Sequence, residues 1–225
     1  MTRSCLALLL FSFTALAQSQ PNGSIQASGS ATISGITPDQ VQLNVGVVTS
    51  AKTAQDAATQ NAQAANAMIA ALKSVLGSSG TVQTISYNLS PQYTGGAVNT
   101  PPVITGYTAS NTVQVTTGNL NLVGPLIDAA NQAGANNISG PSYSLQNSEP
   151  YQQQALTAAT KQALSHAGAI ATGLGSKVGG VISAQEGSTV TPFLGVAAGG
   201  ASSTPIQTGT VSVSATVTVT VALSQ

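Results

Sequence analysis

GTVSVSATVTVTVAL, Gly209 to Leu223, is the longest unbroken pattern in the chain, and its reading decides the fold class. Val211, Val213, Ala215, Val217, Val219, Val221 and Leu223 are apolar, and Ser212, Ser214, Thr216, Thr218 and Thr220 between them are small hydroxyl residues. Strict period-2 alternation in mostly β-branched residues predicts a long strand with one buried face. No charge interrupts it, so the hydroxyl face is open to water or to a second layer of protein. A strand of this length needs a sheet to pair with and helices to cover its apolar side.

The rest of the chain supplies both. Immediately upstream, 188–208 carries no charge and mixes Phe193, Leu194, Val196, Ala197 and Ala198 with Pro192, Gly195, Gly199, Gly200 and Pro205. It reads as a long loop without structure of its own, a class that is usually functional or disordered. Val178 to Glu186 before it reads as a less regular strand. From Ser148-Glu149-Pro150, an N-cap with Pro in the first turn, a helix is predicted to about Leu174, with the stripe Ala155, Ala159, Ala163, Ala167, Ile170, Leu174.

Two alternating strands open the chain at about residues 25–33 and 41–47. Gly29 sits at a bulge position, and the turn Gly35 to Asp39 joins the strands as a hairpin. Lys52 to Leu76 changes to a period near 3.6, with Ala54, Ala58, Ala62, Ala65, Ile69, Leu72 and Leu76 as the apolar stripe and Gly77 as the stop. Strands follow at 82–89 and 103–117, around a loop at 92–102. On the second of these Asn111 falls on the apolar side and needs a hydrogen-bond partner if buried. A short helix over Asn121 to Gly134 and a strand from about Asn137 to Gln146 complete the set. The order β-β-α-β-β-α-β-α-β-β predicts an α+β fold with mixed or antiparallel sheets covered by helices. It suggests two interleaved α+β parts, an outer one over 24–80 plus 148–225 and an inserted one over about 81–147.

Composition narrows the function. Only 4% of the 225 residues are charged, against about 25% in ordinary soluble proteins. Residues 1–17 read as a signal peptide: Arg3 is the positive start, Leu6 to Leu16 the apolar core, and Ala15-Leu16-Ala17 the cleavage site. The chain is thus expected to be periplasmic or secreted. Without the leader, four lysines face five carboxylates. That offers no basic field for nucleic acid, and it leaves little repulsion between copies of the chain. Cys5, the single cysteine, lies in the leader, so disulfide and thiol chemistry are not expected beyond it. No stretch approaches the twenty apolar residues of a membrane-spanning helix.

Chemistry is sparse. His166 is the only histidine and sits at the flank of its helix stripe, which favours a structural role, since a metal or catalytic site needs partners. Asp39 fits a turn, Asp56 and Glu149 fit first helical turns, and Asp128 lies near the start of the short helix. Gly173-Leu174-Gly175 follows a helix rather than opening one, so it is no phosphate cradle. Tyr87, Tyr93, Tyr107, Tyr143 and Tyr151 fall mostly on core faces of strands by alternation. No catalytic residue, cofactor or metal is expected.

Several local patterns together resemble the SIMPL domain family of exported bacterial proteins. They are Ile33-Ser34-Gly35 followed by Pro38-Asp39, the Tyr87, Leu89, Pro91, Tyr93 segment, and Ile104-Thr105-Gly106-Tyr107-Thr108-Ala109. Further along come Leu126-Ile127-Asp128-Ala129-Ala130, the helix end Leu174-Gly175 with Val178-Gly179, and Pro205-Ile206 leading to Gly209. The resemblance implies an α+β fold and a periplasmic or outer-membrane-associated location. It also implies ring-like oligomers and a link to stress defence in some members. It supplies no catalytic residue. The expected function is a non-enzymatic exported protein that forms a homo-oligomer, with Phe193, Leu194, Val196, Tyr93 and Val98 as assembly or ligand-loop residues. The alternative is an envelope module that binds a small apolar or glycan ligand through the same loops.

Overall fold

The computed structural model describes residues 23–94, 101–193 and 208–224, with the backbone alone for 188–193. The elements are β1 (Ser24–Ile36), β2 (Gln40–Ala51), α1 (Ala54–Leu76), β3 (Gly80–Tyr93), β4 (Ile104–Thr117), a 3-10 turn (Leu120–Leu122), α2 (Val123–Gln132), β5 (Asn137–Ser144), α3 (Glu149–Gly173), β6 (Lys177–Phe193) and β7 (Thr210–Ser224). They form two antiparallel sheets with the strand orders β1-β7-β6 and β3-β4-β2-β5. The fold class is α+β, in the element order that the periodicities predict.

The terminal strand is the centre of the three-stranded sheet. Val211, Val213, Ala215, Val217, Val219 and Val221 are all buried, and β7 pairs with β1 on one side and β6 on the other. Its apolar face meets α3 through Ala155, Ala159, Ala163, Ala167 and Ala171, each at most 1% exposed. A row spaced at four residues drifts by about 40° per step on a 3.6-residue helix, so the contact line is inclined to the axis. The continued spacing of four carries contact to Ala171. Ile170 and Leu174, expected in the stripe, stand 44% and 62% exposed instead.

The opening hairpin does not form. β1 pairs with β7, whereas β2 pairs with β4 and β5, so the Gly35 turn carries the chain from one sheet to the other. The division between the two parts shifts with it. β2 and α1, assigned from sequence to the outer part, belong with the second sheet, so that β1, α3, β6 and β7 make one layered unit and β2 to β5 with α1 and α2 the other. Gly29 is no bulge; it pairs in register with Val217, and the irregularity lies between Ile33 and Ile36.

The second core packs α1 and α2 on the four-stranded sheet. Val41, Leu43, Val45 and Val47 of β2 meet Met68, Leu72 and Leu76 of α1 and Leu126 of α2, each full burial contributing about 1.5–3 kcal/mol. The buried face of α1 is Ala57, Asn61, Ala65, Met68, Leu72, Leu76. Ala65, Leu72 and Leu76 of the expected stripe lie on it, Met68 takes the place expected for Ile69, which is only partly buried, and Ala54, Ala58 and Ala62 do not lie on it. Thr53 caps α1, its Oγ1 accepting from the Asp56 amide at 3.1 Å, and Gly77 ends it with φ +55°.

Candidate assembly surface

Four strand edges bound the two sheets, and the chain treats them differently. An unpaired edge presents a row of backbone donors and acceptors to any other strand, so proteins usually cover or interrupt it.

The β1 edge is covered by α3. Beneath that helix Gly29 has no side chain, which lets the helix backbone sit close; a Cβ there would stand 2.5 Å from the Ala163 nitrogen. The helix then bonds the outward backbone groups on both sides of the glycine. The Ser30 amide donates to Gln162 Oε1 at 2.7 Å, and His166 Nδ1 donates to the Ser28 carbonyl at 2.8 Å. The only histidine therefore caps a strand edge. The β5 edge contains Pro141, which has no amide to donate. Where β5 begins, the Asn136 side chain continues the ladder: its Oδ1 accepts from the Val48 amide and its Nδ2 donates to the Val48 carbonyl, both at 2.8 Å.

Among the described residues nothing pairs with the outer edges of β3 and β6. β6 carries Lys177 and Glu186, and two irregularities interrupt its pairing with β7 near Val178, Val181 and Ser183. Charges and bulges are the ordinary protections of an edge. β3 has no charged residue at all. Its pairing with β4 shifts between Thr84 and Ser86 and again between Gln92 and Tyr93, and Pro91 lies near its end, so that the regular stretch between these interruptions is Ser86 to Ser90.

The side chains of β3 are as open as its edge. Tyr87 and Leu89 lie opposite Asn111 and Ala109 of β4, on the sheet face that α1 covers. At this level the helix is held over β2 and β4: Asn61 Nδ2 donates to the Val47 carbonyl at 2.9 Å and to the Ala109 carbonyl at 3.0 Å. It does not shield β3, so Tyr87 is 54% exposed, Leu89 38% and Ile85 49%. Past Ala51 of β2, β3 and β4 continue to the pair Tyr93 and Ile104, where Tyr93, Val103 and Ile104 are also exposed. Exposed apolar side chains gathered along one strand are the kind of surface that marks interaction sites.

The residues singled out from sequence are only partly brought here. Tyr93 ends β3 at the ribbon tip. Val98, Leu194 and Val196 lie outside the described residues. The backbone of Phe193 ends β6 opposite Thr210, so 188–193, expected to be loop, is strand. Tyr87, expected on a core face, is exposed. Alternation identified the face of Tyr87 correctly, but the reach of the helix decides whether that face is covered. Tyr143 is buried as expected, and burial pushes its hydroxyl above the ordinary tyrosine range. Asn111 sits on the apolar side as expected; its Oδ1, like that of Asn61 and the Tyr143 hydroxyl, has no hydrogen-bond partner among the described residues.

The family model described as SIMPL, protein of unknown function (DUF541), matches residues 25–221. The chain belongs to the SIMPL family. The match runs from β1 through β7, so both sheets and all three helices of this SIMPL chain fall within it. No curated protein matches the chain. No helix among the described residues is long and apolar enough to cross a membrane.

Proposed function

We propose that this SIMPL chain is an exported, non-enzymatic envelope protein that associates with copies of itself. The observation that carries the reading is the contrast between strand edges: those of β1 and β5 are capped or interrupted, whereas the outer edge of β3 is uncharged, has no partner among the described residues and is flanked by exposed Ile85, Tyr87 and Leu89. A bare apolar edge on a nearly neutral chain favours association. The engagement of His166 with the Ser28 carbonyl supports a structural role for the only imidazole. Export rests on the leader-like residues 1–17, and a role in envelope stress defence rests on the family resemblance alone.

Light scattering with size-exclusion chromatography on the exported protein at micromolar concentration tests the reading. A defined oligomer is expected, and a strict monomer sinks it. A monomer that instead takes up a small apolar or glycan ligand moves the function to a binding module. N-terminal sequencing of the exported chain is expected to begin at Gln18. Loss of the gene is expected to sensitise cells to peroxide; unchanged survival removes the stress role and leaves the assembly reading standing.

A further inference from the structure

Resting on the self-association proposed above, we infer that the partner of the β3 edge is the β3 edge of a second copy, paired antiparallel about a two-fold axis at Asn88. An antiparallel edge is its own complement: a two-fold axis normal to the sheet brings identical edges together with their faces matched. On β3 the regular part of the edge is bounded by the pairing shift at Thr84 to Ser86 on one side and by Pro91, which cannot donate, on the other. That leaves Ser86 to Ser90, whose midpoint is Asn88.

The register follows from this window. Asn88 faces Asn88 of the second copy, Ser86 faces Ser90, and Tyr87 faces Leu89 twice. The Tyr87 and Leu89 pairs fall on the side that α1 covers in each copy, where both residues are exposed in the single chain. Aromatic and aliphatic residues in direct cross-strand contact stabilise a sheet, and an amide pair on the other side gains hydrogen bonds. The result is one continuous sheet in the order β5-β2-β4-β3 followed by β3-β4-β2-β5 of the second copy. A strand with no charge offers nothing to a charged partner, and a second near-neutral copy brings no repulsion. The β6 edge is the poorer candidate, because it carries the charges Lys177 and Glu186 where β3 carries none.

The chain permits a direct test, since Cys5 is its only cysteine. In a full chain carrying Cys5→Ser and expressed for export, Asn88→Cys places two thiols opposite each other. Directly opposed strand residues have Cα atoms about 4.5–5.5 Å apart, within the range a disulfide spans. Mild oxidation is expected to link the Asn88→Cys dimer nearly completely. Ser86→Cys and Ser183→Cys alone are expected to stay unlinked, and a mixture of Ser86→Cys with Ser90→Cys chains is expected to link. Leu89→Lys is expected to weaken the association roughly tenfold or more. An oligomer that persists while Asn88→Cys does not link, or that links through Ser183→Cys instead, overturns the β3 pairing and leaves self-association intact. A monomeric parent chain overturns both.

Discussion

Gly29 of β1 lies directly against the backbone of Ala163 in α3, so close that a methyl group on the glycine would stand 2.5 Å from the Ala163 nitrogen and collide with the Ala159 carbonyl. This contact sets the distance between the helix and the three-stranded sheet, and it allows Gln162 and His166 to reach the β1 edge. Gly29→Ala is expected to destabilise the chain by about 1–3 kcal/mol, the usual cost of overpacking. Gly168→Ala on the same helix has open space at its Cβ and is expected to stabilise by about 0.5–1 kcal/mol through helix propensity. Denaturant unfolding of the two variants checks the opposite signs.

Gln162→Ala and His166→Ala each remove a cap from the β1 edge. Each is expected to cost about 1 kcal/mol, because the freed backbone group is near solvent. The readout specific to the cap is hydrogen exchange: the Ser30 amide is expected to exchange faster in Gln162→Ala, whereas amides of β7 keep their protection. Unchanged exchange at Ser30 would show that the edge does not depend on Gln162.

Asn61 is fully buried and ties α1 to the carbonyls of Val47 and Ala109. Asn61→Ala removes two buried hydrogen bonds from these carbonyls and is expected to cost about 2 kcal/mol. Asn61→Leu fills the space but restores no donor, so it is expected to recover little of that loss. A Leu variant as stable as the parent would make packing, not hydrogen bonding, the reason for the polar residue.

Tyr143 is 6% exposed, and its hydroxyl has no partner among the described residues. Burial raises its pKa above the reference value of 10.0, so the unfolded chain ionises first as the pH rises. The neutral form favours folding at every pH below 10.0, and this contribution is lost as pH climbs through the raised folded value. Tyr143→Phe is expected to stabilise by about 1 kcal/mol at neutral pH by removing an unpaired buried hydroxyl. It is also expected to flatten the alkaline fall in stability, measured by thermal unfolding between neutral and strongly alkaline pH.

Much of the local structure was legible from residue spacing. The alternation of Val211 to Leu223, the four-residue alanine row of α3 and the stop at Gly77 each depend on neighbours a few residues away, and the structure follows them. Errors begin where a helix face mixes residue types. The first half of α1 was read through Ala54, Ala58 and Ala62, because a buried Asn61 looks polar in sequence; only the two carbonyls beneath it make that position an interior one.

By itself, then, the sequence determined the strands, the helices, the family and the near absence of charge, because these are properties of composition and local period. Tertiary structure alone decided that β1 leaves β2 for β7, that His166 closes an edge, and that Tyr87 and Leu89 stay uncovered. Alternation says which residues share a face, but the partner of a strand and the reach of a covering helix depend on surfaces far apart in the chain. Residues 28 and 166 meet across more than half of its length, and no local pattern records such a contact.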